Sequence, residues 1–360
     1  MDPARPSLEL LRSLTDEHVL RALMRHRRLT RAELAAQIGI SKPTAGESVR
    51  RLAERGLVAD TGERTPGGRG RGRVGSYYAL SGAAGAALAV SIAPQGVVGE
   101  IVDAYGETAA RAERTVGRPA APDDVAAALS GVCEEIAASP GAPRLAVVSA
   151  ADPVDRATGR LVHLPDAPFL VGELDPVAVL APHVAGPVTV DNDVNWAARA
   201  EREHAGDDFA YLYLGEGLGC AVVADGEVVR GRNGLAGEIA HLVTVGPQGR
   251  AMPLIEAIGR LGVRLPGSTA IDAEALLAAD RRAVAVAVAG VVAAIVALAD
   301  PGLVVIGGTW GPALIGAVDG AVSQLARAVP LKAAAVTNEP ALTGARLAAV
   351  ARLREAIVAL

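Results

Sequence analysis

TRAELAAQIGISKPTAGESVRRLAER, residues 30–55, predicts two short helices separated by a tight turn at Gly39. Thr30 can cap the first helix, and Glu33, three residues later, completes a capping box. Ser41 is a good N-cap for the second helix, which has a proline in its first turn, where a missing N–H costs nothing. The pattern is that of a helix-turn-helix.

Polar and basic side chains recur at helical spacing on one face of the second helix. A short helix with a polar face, held by a partner helix, is the element that enters a DNA major groove. A generic helical hairpin with solvated charges is the alternative, because such pairs of helices are common by chance. On the first interpretation, the residues expected near base edges are Lys42, Thr44, Ser48 and Arg51.

Two strands with a glycine-rich connection follow. The first begins at Leu57 and the second ends at Leu80, and TGERTPGGRGRGRVGS lies between them. Flexible arginines in such a connection can reach phosphates or a narrow minor groove, and a solvated linker is the alternative. The arginines expected to do so are Arg69, Arg71 and Arg73. We therefore assign residues 1–80 to a winged helix-turn-helix DNA-binding domain.

Length and charge limit the class of protein. At 360 residues, 51% of them hydrophobic, the chain can form two or three packed domains. Residues 1–80 carry a net charge of +6 and the remainder carries −11, so attraction for phosphate is concentrated at one end. The two cysteines, Cys133 and Cys220, provide neither a disulfide framework nor metal-ligand spacing.

The chain carries no pattern of export or membrane insertion. Its N-terminus is polar and charged from Asp2 onward, so we expect no signal peptide. The longest apolar run, residues 283–299, is at the short end of the length that spans a bilayer. We expect this run to be a buried helix and the protein to be cytoplasmic.

The composition changes after Ser81 to small apolar residues, and residues 81–360 follow an α/β pattern in two halves. Each half begins with a β-hairpin; the first closes at residues 94–96 and the second around residues 215–219. We expect one lobe from about residue 82 to 190, joined by the C-terminal helix, and a second from about 191 to 340. A cleft between two lobes is the usual place for a ligand.

Three motifs in this order, VTVDNDVNWAARAE, GRNGLAGEIAH and DPGLVVIGG, follow the winged helix. Together they resemble the ROK family of sugar kinases and sugar-responsive repressors, and in particular its repressor branch. The resemblance extends over nearly the whole chain. It implies a two-lobed actin-like ATPase, or ribonuclease-H-like, fold for residues 81–360.

The same resemblance identifies two altered phosphate-binding turns. Kinases of the family hold ATP with an Asp-x-Gly-Gly-Thr turn, and residues 91–95 here read SIAPQ, so Ser91 replaces the acid. The second turn usually carries Thr-Gly, and here Glu216 replaces the threonine. A carboxylate facing a polyphosphate is repulsive by roughly a few kcal/mol. Because phosphoryl transfer depends on positioning and charge neutralisation, we expect no kinase activity and no cofactor.

The resemblance also implies a sugar-effector site. Asp193 matches the residue that acts as base toward the sugar hydroxyl in kinases, and the other matched positions are Asn192, Glu238, His241 and Glu256. Carboxylates and an amide in one cleft suit a polyol, because each hydroxyl can both donate and accept. The alternative is structural: Asn192 and Asp193 cap the following helix, and Glu238 pairs with an arginine.

Three departures from the family pattern concern the same cleft. Asp152 stands where a glycine normally meets the ligand, and His163 stands near a usual asparagine. The family's Cys-x-Cys-Gly-x-x-Gly-Cys zinc loop is replaced by GPQGRAMPLIEA, which has no cysteine. Structural zinc requires four nitrogen or sulfur ligands, so we expect no metal site.

These features predict a transcriptional regulator, and we expect a repressor. It would form a homodimer or tetramer and bind double-stranded operator DNA, a dimer reading a pseudo-palindrome. Its effector would be a sugar or sugar phosphate, and it would have no membrane partner. Two alternatives remain: a working ATP-dependent sugar kinase with an added DNA-binding head, and an effector-independent DNA-binding protein with a vestigial cleft.

Overall fold

A computed structural model describes most of the chain: residues 8–66, 74–137, 142–164, 168–170 and 172–360. The three arginines expected at the tip of the wing, Arg69, Arg71 and Arg73, lie outside the described residues, so their DNA contacts stay predictions.

The N-terminal elements form a winged helix-turn-helix. They are α1 (Leu8–His26), β1 (Arg28–Thr30), α2 (Arg31–Ile38), α3 (Lys42–Glu54), β2 (Val58–Arg64) and β3 (Ser76–Leu80), with the strands in the antiparallel order β1-β3-β2. Thr30 and Glu33 form the predicted capping box, and Ser41 accepts a hydrogen bond from the Thr44 N–H. Gly39 ends α2 at φ 76°, a left-handed conformation that favours glycine. The predicted helix-turn-helix is confirmed.

A mixed five-stranded sheet forms the first lobe of the body. Its elements are β4 (Ala87–Ala93), β5 (Gly96–Val102), β6 (Thr108–Arg114), α4 (Pro122–Ile136), β7 (Leu145–Ala150), α5 (Pro176–Leu180) and β8 (Val188–Asn192). The strand order is β6-β5-β4-β7-β8. The hairpin strands are antiparallel, whereas β4, β7 and β8 run parallel.

The second lobe repeats this topology. It contains α6 (Asp193–Ala205), β9 (Phe209–Leu214), β10 (Leu218–Ala224), β11 (Glu227–Val228), β12 (Val243–Val245), β13 (Ala251–Pro253), α7 (Leu254–Gly259), α8 (Ala273–Ala278), α9 (Arg281–Ala299), β14 (Val304–Gly307), α10 (Gly311–Val322) and β15 (Leu331–Ala333). The C-terminal helix, α11 (Pro340–Ala359), returns to the first lobe and packs against β4 and β7. The order β11-β10-β9-β14-β15 places the strands as in the first sheet. Two hairpin-led halves, as predicted, are therefore present.

The apolar run of the sequence forms α9. Among the described helices, α9 alone has the length and hydropathy that would allow it to cross a membrane. Val284, Val288 and Val291 on it are fully buried in the hydrophobic core of the second lobe. The prediction of a buried helix is confirmed.

A single hydrophobic cluster joins the winged helix-turn-helix, which we call the head, to the rest of the chain, the body. The cluster contains Leu23 and Leu52 of the head, Ala87 and Val147 of the first sheet, and Leu353 of α11. Hydrophobic side chains that share one core lose their burial when the parts separate. The head is therefore packed against the body.

Hydrogen bonds reinforce this packing at Tyr105, in the turn after β5. The Tyr105 hydroxyl donates to the carbonyl of Arg27 and accepts the N–H of Leu80, at 3.0 and 2.9 Å. One body side chain thus connects the end of α1 to the end of the wing.

The C-terminal helix α11 also packs against α6, and the two backbones approach closely at Gly344. A Cβ added there would lie 1.9 Å from the carbonyl oxygen of Trp196. The Trp196 indole is fully buried and donates to the carbonyl of Val148. This crossing therefore requires a residue without a side chain.

We predict that Gly344→Ala lowers the free energy of unfolding by about 1–3 kcal/mol, because α11 must move away from α6. Gly316→Ala, in α10, is the matched control: its added Cβ meets nothing within 4 Å, so about 0.5–1 kcal/mol of stabilisation is expected. Urea unfolding of both variants measures the difference. Equal effects of the two substitutions would contradict the close crossing.

Candidate functional site

The first turn of α3 presents two of the residues expected to face DNA. Lys42 and Thr44 are both exposed. The Thr44 hydroxyl lies 2.7 Å from that of Ser41, so it takes part in the cap. Recognition helices contact base edges mainly through their N-terminal residues. Lys42 and Thr44 therefore remain candidates for DNA contact.

The expected base contact of Ser48 is wrong, and that of Arg51 is not supported. Ser48 is completely buried, and its hydroxyl donates to the carboxylate of Asp16 on α1. Arg51 Nη2 lies 2.6 Å from the same carboxylate, and its side chain is 26% exposed. Ser48 and Arg51 do lie on one face of α3, as their spacing predicted, but α1 covers that face. A buried carboxylate requires such partners, and here they join the two helices.

Two further exposed cations of this region, Arg50 and Arg55, were not predicted as DNA contacts. Arg50 forms ion pairs with Glu47 and Glu54 at 2.8 and 2.6 Å, a spacing visible in the sequence. Lys42 and Arg55, by contrast, form no ion pair within the part of the chain that the structure describes. The charge available to a phosphate on this helix is therefore concentrated at its two ends.

A cavity of about 780 Å³ lies between the two sheets. Both sheets, the first turn of α6 and the first turn of α11 contribute to its wall. Its volume is within the range of small-molecule sites. The predicted effector residues that line it are Asn192, Asp193, Glu238 and His241.

Asn192 and Asp193 form the N-terminus of α6 at the cavity wall. Asn192 caps the helix by accepting the N–H of Val194, and its side-chain amide donates to the carbonyl of Asp152 at 3.3 Å. Asp193 also accepts the N–H of Val194, at 2.8 Å. Capping and lining the cavity therefore occur together. Burial raises the pKa of Asp193 to about 7, although this hydrogen bond acts in the opposite sense.

Two further carboxyl groups share this environment. Burial, followed by the charges of Asp193 and Glu238, raises the pKa of Asp152 to about 7. Burial and then the charge of Asp193 raise the pKa of Glu238 to about 7. Glu238 forms no ion pair with an arginine among the described residues, so that structural alternative is not realised.

The remaining residues expected in the cleft lie elsewhere. Glu256 does not line the cavity; its side chain is 45% exposed and pairs with Arg260 on the same helix at 2.6 Å. The preceding residue, Ile255, lines the cavity instead, and neighbours on a helix point about 100° apart. The structure therefore does not support the expected effector contact of Glu256, which stays a prediction. His163 Nδ1 lies 3.2 Å from the carbonyl of Leu170.

The turns that the family resemblance assigns to ATP phosphates also line the cavity. Pro94 and Gln95 form the two-residue loop between paired Ala93 and Gly96, and a proline has no N–H to offer a phosphate. Glu216 was expected to repel a polyphosphate. It is instead paired with Arg118 at 2.9 Å, and Arg118 also donates to the carbonyl of Pro94. Arg118 thus connects the two turns across the cavity.

No arrangement within the described ranges suits a metal ion: no three His, Cys, Asp or Glu side chains converge there. The zinc loop of the resemblance is replaced by the hairpin β12–β13, whose Thr244 donates to the carbonyl of Ala287 on α9. A hydrogen bond to the core helix therefore anchors this segment.

Fold and sites together define a class: a winged helix-turn-helix packed on a two-lobed, actin-like body with a ligand cleft. A winged helix-turn-helix DNA-binding profile matches residues 12–59, and the ROK family profile matches residues 88–252. The chain therefore carries a ROK family domain behind a winged helix-turn-helix. This architecture supports a DNA-binding regulator.

A solved ROK family transcriptional regulator, described as a homologue of the E. coli MLC protein, is similar at a TM-score of 0.64. It covers 97% of this chain and 99% of its own, at 18% identity. A ROK glucokinase from Streptomyces griseus, in complex with glucose and AMPPNP, has a TM-score of 0.55 over 74% of this chain and 99% of its own, at 22% identity. These similarities confirm the predicted fold.

A glucokinase of Halalkalibacterium halodurans is 48% identical over 69 residues, which make up 18% of this chain and 21% of that enzyme. The chain thus matches about a fifth of the length of this relative.

The cleft carboxyl groups predict a pH dependence of stability. A pKa of Asp152 raised in the folded state means that the fold binds a proton more tightly than the unfolded chain. The contribution of the Asp152 side chain to the free energy of unfolding is therefore fully present below about pH 4 and is lost as the pH rises to about 7. Asp152→Asn should raise the free energy of unfolding by roughly 1–3 kcal/mol at pH 8, with little change at pH 4.5.

Asp155→Asn is the control, because the ionised Asp155 carboxyl stabilises the fold and its loss should lower the free energy of unfolding. Hydrogen bonds from Thr158 lower the pKa of the exposed Asp155 carboxyl, so its stabilising contribution is lost only below about pH 4, and this substitution should destabilise equally at pH 8 and pH 4.5. Denaturant unfolding at both pH values measures each variant. A stabilisation by Asp152→Asn that is the same at both values would contradict the raised pKa.

Proposed function

We propose that this protein is a cytoplasmic transcriptional repressor that binds operator DNA through its head and a sugar-like effector in its cleft. The observation that carries the proposal is the position of α11. Its first turn lines the cavity, and its second half shares a hydrophobic cluster with α1. One rigid helix of 20 residues, about 30 Å long, thus reaches from the effector site to the DNA-binding head.

Residues 1–80 act as the DNA-binding domain and residues 81–360 as the effector and oligomerisation domain in this proposal. Lys42 and Thr44 contact DNA at the N-terminus of α3, and the wing arginines contact phosphates or the minor groove. A homodimer with two-fold symmetry reads a pseudo-palindromic operator. The basic head and acidic body orient the molecule toward DNA before contact.

An effector acts by shifting the equilibrium between two arrangements of the lobes. It contacts Asn192 and Asp193 at the start of α6, and α6 packs against α11 at Gly344. A ligand that binds one arrangement more tightly than the other moves α11 and, with it, the spacing of the two heads in a dimer. The ion pair between Arg118 and Glu216 joins the lobes and must change its geometry when the cleft opens or closes.

We propose that the body has lost kinase activity. Ser91 supplies no carboxylate for Mg²⁺, Pro94 supplies no N–H, and Glu216 is occupied by Arg118. Because phosphoryl transfer is mostly positioning and charge neutralisation, these changes remove its main components.

The second candidate function is an active sugar kinase with a DNA-binding head. It is favoured by the 48% identity to a glucokinase over 69 residues and by Asp193, which keeps the position of the catalytic base. The regulator should not turn over ATP in the cleft, whereas the kinase should transfer phosphate from ATP to a sugar.

DNA binding through α3 is tested with a matched pair of lysines. Lys42→Ala should weaken binding to an operator selected from a random DNA pool by about threefold to tenfold, with a salt slope reduced by about 1 if Lys42 contacts phosphate. Lys332→Ala, on exposed strand β15 of the body, should leave both quantities unchanged. Equal losses in both variants would exclude α3 as the DNA-reading helix.

Kinase activity is tested by ATP turnover with a panel of hexoses, and turnover at the background rate is expected. The measurement is repeated with Glu216→Thr, which restores the family's residue at the second phosphate turn. Because the first phosphate turn remains altered, this variant should also turn over ATP only at the background rate. Hexose-dependent ATP hydrolysis by the wild-type chain would overturn the regulator-only proposal.

A further inference from the structure

The wall of the cleft contains a carboxylate without a partner. Asp152 is 2% exposed, and within the described part of the chain neither of its side-chain oxygens has a partner at normal hydrogen-bond geometry; the backbone N–H of Leu170 is near enough to lower the pKa but does not reach that geometry. Leaving a carboxylate buried and unpaired is among the most unfavourable arrangements in a folded protein. Asp152 lines the cavity, so a bound ligand is the component that can supply the missing partner.

The other acidic groups around the cavity have cations of their own. Glu216 is paired with Arg118, and Glu339 at the start of α11 is paired with Arg111 at 2.6 Å. The inner acids differ: none of the three carboxyl groups at positions 152, 193 and 238 forms an ion pair with another described residue. These three carboxyl groups therefore have no compensating cation among the described residues.

A metal ion does not fit this arrangement. A divalent cation requires several oxygens at about 2.0–2.6 Å from one point, and no such group of side chains occurs in the described ranges. The hydroxyls of a neutral polyol can donate hydrogen bonds to these oxygens, but they bring no positive charge to the buried Asp152 carboxylate. An ammonium group has three donors, no acceptor and one positive charge, which complements carboxylates that only accept.

We propose that the effector of the cleft is a cationic amino sugar or aminated polyol whose ammonium group pairs with the carboxylate of Asp152, while Asp193 and Glu238 add to the negative potential of the same cleft. This inference rests on the proposed function, because it specifies the ligand of the proposed effector site. Asn192 and His241, which also line the cavity, bind the neutral hydroxyls in this proposal.

Proton release gives the proposal an independent signature. The three acids have pKa values raised to about 7, so each retains part of a proton at neutral pH. An ammonium group favours their charged forms, and binding must therefore release protons to the buffer. A neutral sugar has no such effect on them.

The experiment is isothermal titration calorimetry of the full chain at pH 7 in two buffers of different ionisation enthalpy. The ligands are glucosamine, galactosamine and mannosamine, each compared with its hydroxyl parent and its N-acetyl derivative. We expect at least one amine to bind about tenfold or more tightly than both neutral counterparts, with release of protons.

The variant Asp152→Asn keeps the shape of the side chain and removes its charge. It should lose about tenfold in affinity for the amine, while affinity for any neutral sugar that binds changes less than about twofold. The comparison of amines with neutral sugars uses only the wild-type chain. The test therefore remains possible even if Asp152→Asn folds poorly.

The outcomes separate the two proposals. Neutral sugars that bind as tightly as the amines, without proton release, would overturn the cationic effector and leave the sugar-effector site intact. If no ligand of either kind binds, the effector role of the cleft fails, and the cationic effector fails with it.

Discussion

The double packing of α11 is the constraint on which the rest of the structure depends. At one end this helix approaches α6 so closely that Gly344 has no room for a side chain. At the other end, Leu353 and Ile357 are fully buried in the cluster that contains the core of the head. Because packed cores are not continuously deformable, a displacement at the cleft is transmitted along the helix or meets strong resistance. The head and the body thus form a single mechanical unit.

The cleft combines this rigid connection with unusual electrostatics. Arg118 joins the two turns that the family resemblance assigns to phosphate binding, through Glu216 and the carbonyl of Pro94. The inner acids have no comparable partner, and Asp152 stands where the family resemblance implies a glycine. A site that cannot neutralise its own charge is selective for ligands that can, since specificity is a difference between affinities.

Local features were predictable from the sequence, and long-range features were not. The capping box at Thr30 and the Gly39 turn depend on neighbours within four residues, and both are correct. The exposure of Ser48 depends on α1, 32 residues away, and the partner of Glu216 is 98 residues away. Strands such as β15 are too short for an alternating pattern to be read. The errors at the candidate sites therefore arise from tertiary contacts between residues that are distant in the sequence.

Native-state hydrogen exchange tests the central claim, that head and body share one core. If they do, the slowest amides of α3 and α11 exchange through the same opening, with equal free energies and equal dependence on denaturant. Amides of α3 that exchange through a separate opening of lower free energy, with α11 still protected, would contradict a rigid connection between the cleft and the DNA-binding head.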